Sequence, residues 1–113
     1  MKLKVDWEEK PVDIKFVLDT YYYTGFPYIS AYIVDDNGEV TDDYGDATRC
    51  LPGLGLGANE TIMDTNNVPE LVKAMIDAGL VIDTHRTVTS GFCTYPICEI
   101  TEKLYEETIT IDE

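Results

Sequence analysis

Residues 28–44 read YISAYIVDDNGEVTDDY. The first half, 28–34, is rich in β-branched and aromatic residues, the types that fit a pleated, half-buried surface. Asn37-Gly38 follows, and Asn-Gly is a strong two-residue hairpin signal because a type I′ turn needs positive φ at both central positions. The strand at 28–36 is therefore expected to fold back antiparallel onto 39–44. That pairing makes the sheet antiparallel and fixes part of its register.

Upstream, DIKFVLD at 13–19 places Ile14, Phe16 and Leu18 on one face at period two, which reads as another strand. Between the two lies YYYTGFP, where Gly25 and Pro27 suit a loop or wide turn better than a central strand. Downstream, LPGLGLGAN at 51–59 reads as a compact irregular loop, and TIMD at 61–64 as a short strand. One helix stands out. Asn67 can cap it, Glu70 holds the capping-box position and Pro69 is tolerated in the first turn. Leu71, Val72, Met75 and Ile76 recur at helical spacing, and Gly79 sits where a glycine ends a helix. The spacing predicts a helix from Val68 to Ala78. LVIDTHRTV at 80–88 and FCTYPICEI at 92–100 read as strands joined at Ser90-Gly91, with Pro96 pointing to an edge strand or bulge. EETITIDE, which closes the sequence, reads as a last edge strand or as a tail that orders on binding. The fold expected is α+β: an antiparallel sheet of about five or six strands with one helix packed on one face.

The chain has 113 residues, which is one domain's worth. A hydrophobic content of 44% with 12 aromatic residues supplies one core and excludes wholesale disorder. With 22 acidic against 8 basic side chains, the net charge is −14. Phosphate contacts need clustered Lys and Arg, so direct binding to nucleic acid or an anionic membrane is not expected. MKLKVDWEEK lacks the apolar stretch of a secretory signal, and no run approaches the roughly 18 apolar residues of a membrane span. The expectation is a cytoplasmic protein. The three cysteines, Cys50, Cys93 and Cys98, fit no closed disulfide framework, and FCTYPIC is too widely spaced for a C-x-x-C redox motif.

Motifs that carry chemistry are few. DDNGE at 35–39 fails as a calcium loop on register: with Gly38 at position six, position one falls on Ile33 and position twelve on Tyr44. GLGLG at 53–57 lacks both the Gly-Lys-Ser/Thr of a P-loop and the glycine spacing of a dinucleotide fingerprint. His85 is the single histidine, and nucleophile-base catalysis requires it to meet Cys93, Cys98, Cys50 or a serine, with Asp83 or Asp64 as orienter. A zinc site from His85 and the three cysteines matches no standard module. No cofactor, metal or catalytic residue is therefore assigned.

Tyr21, Tyr22, Tyr23, Tyr28 and Tyr32, with Phe26, form the densest aromatic segment. Three consecutive tyrosines cannot all face inward from an extended chain, and exposed Tyr is a favoured interface anchor. The acids are also concentrated. Residues 35–46 contribute −6, from Asp35, Asp36, Glu39, Asp42, Asp43 and Asp46, and 99–113 contribute −5. On a strand, carboxylates at i and i+2 sit about 6.5–7 Å apart, near the phosphate spacing of a nucleic-acid strand. A solvated acidic face also keeps a small protein soluble.

At 64–98 the run DTNNVPELVKAMIDAGLVIDTHRTVTSGFCTYPIC resembles a family of small bacterial proteins classed as a domain of unknown function, frequent in gut anaerobes and their mobile elements. The family's pattern is matched at Asp64 to Pro69, Gly79, Thr84 to Thr87 and Ser90 to Pro96. His85 departs from it, standing where the family pattern has glycine. The resemblance implies a cytoplasmic accessory protein and brings no catalytic residues.

The leading functional expectation is a non-enzymatic accessory protein, part of a bacterial or mobile-element system, that binds an unidentified protein partner and is itself a monomer or weak homodimer. Its candidate contacts are Tyr21, Tyr22, Tyr23, Phe26, Asp35, Asp36, Glu39, Asp42, Asp43 and Asp46. One alternative is a DNA mimic that inhibits a nucleic-acid-binding protein. That reading requires the two acidic segments to form one face. Another is a small hydrolase or thiol enzyme around His85 and Cys93.

Overall fold

The computed structural model describes residues 3–7, 10–21, 25–51 and 56–109, with backbone only at 4, 6 and 7. The chain is α+β and antiparallel, as expected, but its strands divide between two sheets. The first is the meander β1 (Leu3–Trp7), β2 (Lys10–Thr20), β3 (Pro27–Val34) and β4 (Val40–Asp46), in that order. Next come β5 (Glu60–Ile62), helix α1 (Pro69–Asp77), β6 (Val81–Ser90), β7 (Cys93–Ile100) and a four-residue helix α2 (Glu102–Tyr105). The second sheet has the order β5-β7-β6.

Period-two alternation puts one face of the first sheet in the core. Ile14 and Phe16 on β2, and Ile29, Ala31 and Ile33 on β3, are buried, while Tyr28, Ser30 and Tyr32 are half-buried on the outer face. Helix α1 buries Leu71, Val72 and Met75 in the same apolar cluster, which Val81, Cys98 and Ile100 complete from the second sheet. A Schellman motif ends the helix. Gly79 (φ +75°) donates to Ile76 and Leu80 donates to Met75.

Four local expectations need correction. The 35–39 turn is not type I′, because Gly38 has positive φ and Asn37 does not. The Asp35 carboxylate accepts from the N–H groups of Asn37 and Glu39, and Gly38 donates to the Asp35 carbonyl. An acceptor at the first turn position favours a type I turn closed by a left-handed glycine. Asn67 does not cap α1. Val68 is the N-cap residue, and Asn67 turns back to bond Asp64. Pro96 lies in the central strand of the second sheet, not at an edge. Its carbonyl accepts from Met63, so its missing N–H points to the same side, beyond the end of β5, where Ile62 lies opposite Ile97. The β6–β7 connection turns on Gly91 and Phe92, with Ser90 opposite Cys93.

Two segments have no counterpart in the sequence expectation: β1, where Leu3 and Val5 alternate into the core, and the short α2. Residues 107–109 run parallel to β2, with Phe16 donating to Glu107 and Ile109 donating to Phe16. Glu107 is buried and ion-paired with Lys15. Residues 110–113 lie outside the described residues.

His85 has φ +64°, alone in this region among the described non-glycine residues. It sits in a bulge of β6 between Asp83 and Arg86, and its N–H donates to the Asp83 carboxylate at 2.8 Å. A left-handed conformation costs an ordinary L-residue about 1 kcal/mol relative to glycine. His85→Gly should therefore leave stability unchanged or raise it by up to about 1 kcal/mol, while His85→Val should lower it, as read by urea denaturation. The reverse order would show that the ring holds the bulge together.

Candidate functional site

The site lies where the chain passes from one sheet to the other. β4 ends at Asp46, and the following residues leave the first sheet for the second. Ala47 donates its N–H to Ile29 in β3 at 2.8 Å, and its carbonyl accepts from Asp64 at 2.9 Å. Arg49 then donates to Ile62 of β5. Between them, Thr48 is buried and its hydroxyl accepts from the Ile29 N–H at 3.2 Å. The same hydroxyl is 2.7 Å from the Tyr21 hydroxyl.

Tyr21 and Tyr28 face each other from the ends of β2 and β3. Their ring centroids are 4.7 Å apart and their planes are tilted by 51°. The loop between them is closed by backbone bonds from Tyr21 to Phe26 and from Gly25 to Tyr21. The Tyr28 hydroxyl donates to Asp46 Oδ2 at 2.7 Å, and Ser30 donates to Asp46 Oδ1 at 3.3 Å. Both rings are thus fixed at both ends. Burial pushes the Tyr21 phenol up to about 12 despite its bond to Thr48. Burial and donation to Asp46 raise Tyr28 as well. Both are neutral hydrogen-bonding groups at physiological pH.

Open grooves flank the pair. One, of about 560 Å³, runs from Tyr21, Tyr28 and Tyr44 to Arg49, Asp64 and Asn67. The other, of about 370 Å³, lies over Val17, Asp19 and Ser30. Arg49 is held in place: its guanidinium carbon is 5.3 Å from the Tyr95 ring centroid, and Nη1 is 4.0 Å from Asp64 Oδ2. The Asp64 carboxylate also takes the N–H and side-chain amide of Asn67, at 3.2 and 2.8 Å.

The structure brings together part of the sequence-derived contact set. Tyr21 and Asp46 line the larger groove, and Asp43 shares the outer face. Asp43 and Asp46 are three residues apart, yet lie opposite Tyr32 and Ser30, because a bulge accommodates the extra residue Tyr44. Asp42 lies opposite Ile33, on the other side of the sheet. Asp35, Asp36 and Glu39 are exposed at the far hairpin tip, where Asp35 serves the turn. Phe26 is half-buried. Tyr22 and Tyr23 lie outside the described residues. Thr48, Arg49 and Asp64 were missed as site residues. Their grouping depends on the crossing between sheets, which no local pattern announces.

The other expected constellations do not assemble. The described acids of the two segments do not gather on one edge: β4 is one edge of the first sheet, Glu107 lies along β2 on the β1 side and Glu99 is in β7 of the second sheet, while Asp112 and Glu113 lie outside the described residues. His85 is exposed, whereas Cys98 is buried opposite Asp83, and burial pushes that thiol up to about 12, with the nearby Asp83 carboxylate adding to the effect. Cys93 pairs with Ser90, five residues from His85 along β6, or about 15 Å at strand rise. Asp83 bonds the His85 backbone, and Asp64 is engaged by Asn67 and Arg49, leaving neither arranged as an orienter. Among the described residues no group of three or more His, Cys, Asp or Glu is placed to hold a metal, and no helix is long and apolar enough to cross a membrane.

Alkylation of the native protein followed by mass spectrometry should modify exposed Cys50 readily and leave Cys98 unmodified until the protein unfolds; early labelling of Cys98 would contradict its burial. Tyr21 supplies a pH signature. Its phenol titrates higher when folded, so the stabilisation it provides is complete below pH about 10, the ordinary tyrosine value, and is lost as pH rises toward about 12. Tyr21→Phe should melt lower than wild type at pH 9, by the worth of one hydrogen bond, about 1 kcal/mol. The gap should narrow by pH 12, and a constant gap would show that Tyr21 is not held protonated. No family model, curated protein or solved structure matches the chain; what the groove accepts is set by the chemistry of its own lining.

Proposed function

We propose that the protein is a non-enzymatic accessory module, serving a bacterial or mobile-element system, that binds another protein through the outer face of the first sheet. The observation that carries this reading is the Tyr21–Tyr28 pair. Two rings 4.7 Å apart, tied by their hydroxyls to Thr48 and Asp46, stand between two open grooves. Tyrosine serves at interfaces because it offers a large apolar surface and a polar tip at a small cost in side-chain entropy. Here that entropy is already spent in the folded protein, so docking onto the rings orders little more.

The DNA-mimic alternative has less support, since among the described residues Glu107 and Glu99 do not share the β4 edge that carries Asp42, Asp43 and Asp46. A photo-crosslinking residue at Ser30, beside the tyrosines, tests the protein-binding reading in cells that make the protein natively. It should yield a discrete protein adduct that the same probe at Ile82, exposed on the second sheet, does not. Replacing both Tyr21 and Tyr28 by Ala should weaken capture at least tenfold, the scale of an interface anchor worth more than about 1.4 kcal/mol. Equal adducts from both positions, or none from Ser30, would overturn the assignment of the surface.

A further inference from the structure

The outer face has a marked imbalance of charge. Asp19 lies opposite Tyr28, Ser30 opposite Asp46, and Tyr32 opposite both Asp43 and Lys15, so Asp19, Asp43 and Asp46 share this face with Tyr21, Tyr28 and Tyr32, with Lys15 and the buried Asp13 further along β2. The bases nearby have other carboxylate partners: Lys15, on the same face, pairs with Glu107, and Arg49 lies 4.0 Å from Asp64. Among the described residues no Lys or Arg bonds Asp19, Asp43 or Asp46. Asp46 is oriented by Tyr28 and Ser30, one on each oxygen, and each oxygen retains a second acceptor position.

We propose that this face seats an arginine side chain, carried on an extended segment of the partner protein, between the Tyr21–Tyr28 rings and the Asp46 carboxylate. The inference rests on the protein-binding reading above and specifies the partner's chemistry. A planar guanidinium can lie on a tyrosine face while its N–H fork meets a carboxylate, which a lysine ammonium does not do equally well. The chain makes a related arrangement of its own beside the larger groove, where Arg49 lies over the buried Tyr95 ring and near Asp64. Tyr28 and Asp46 offer the same two elements to an arginine from outside. Asp19 lies two strands from Asp46 and two residues along, about 12 Å away at standard sheet spacings. That places it within reach of a second basic residue three or four positions along an extended segment. The overall charge of −14 steers such a segment toward the protein.

The probe is an extended ten-residue peptide with arginines four positions apart, compared by calorimetry with versions carrying lysine or neutral citrulline at those positions. The arginine peptide should bind saturably, shift the Tyr21 and Tyr28 ring resonances, and weaken as salt is raised. Citrulline should cost at least tenfold in Kd, and lysine less. Asp46→Asn, whose amide oxygen can still accept from Tyr28, should also cost at least tenfold in full-length protein that remains folded. Equal binding of arginine and citrulline peptides, equal binding of arginine and lysine peptides, or indifference to Asp46→Asn would each overturn the proposal. The two readings fail separately. An adduct at Ser30 that maps to a partner segment without arginine would end this inference and leave protein binding standing. Absence of any Ser30 adduct would end protein binding there.

Discussion

Ala47 gives its N–H to β3 and takes an N–H at its carbonyl from Asp64, so a single peptide segment belongs to both sheets. Both backbone groups of Ala47 find partners as the chain enters the interior, as burial of a strand crossing requires. Thr48 extends the join by placing a side-chain hydroxyl where Ile29 needs an acceptor. Helix α1 can then cover a core built from both sheets. The larger groove opens beside this crossing, with Tyr21, Tyr28, Thr48 and Arg49 in its lining. Loss of the Thr48 hydroxyl would leave the Ile29 N–H and the Tyr21 hydroxyl together without their shared partner.

What could be read in the sequence was local. Alternation at 13–19 and 28–34, the capless but strongly periodic helix at 69–77 and the glycine at 79 each follow from residues adjacent in the chain. The division into two sheets was not legible, because it depends on Ala47 bonding β3 and Arg49 bonding β5, contacts separated by more than a dozen residues. Pro96 misled for a related reason. Proline excludes a strand from the centre only where both neighbours are long enough to need its N–H, and β5 is three residues long. At Asn37-Gly38 the local signal gave the hairpin correctly but the wrong turn, since Asp35 offered a competing acceptor.

The acidity also separates into parts with different physical roles. Asp35 closes a turn, Glu107 is buried against Lys15, and Asp64 holds Arg49 and the entry to the helix. Asp19, Asp43 and Asp46 form the group that faces solvent beside aromatic rings. A sum of charge along the sequence weights all of these equally, whereas the fold gives them different surroundings.

The parallel contact of residues 107–109 with Phe16 bears on how the molecule is made. β1 covers β2 only as far as Ile14, where Leu3 is its partner, and the next exposed backbone groups belong to Phe16. They stay uncovered until a segment about ninety residues further on in the chain has reached them. Contacts this distant in sequence form slowly, and an open strand edge is a place where nascent chains pair wrongly. Completion of the first sheet therefore waits on residues that follow the whole of the second sheet, and the short helix α2 sets down residues 107–109 where that edge is waiting.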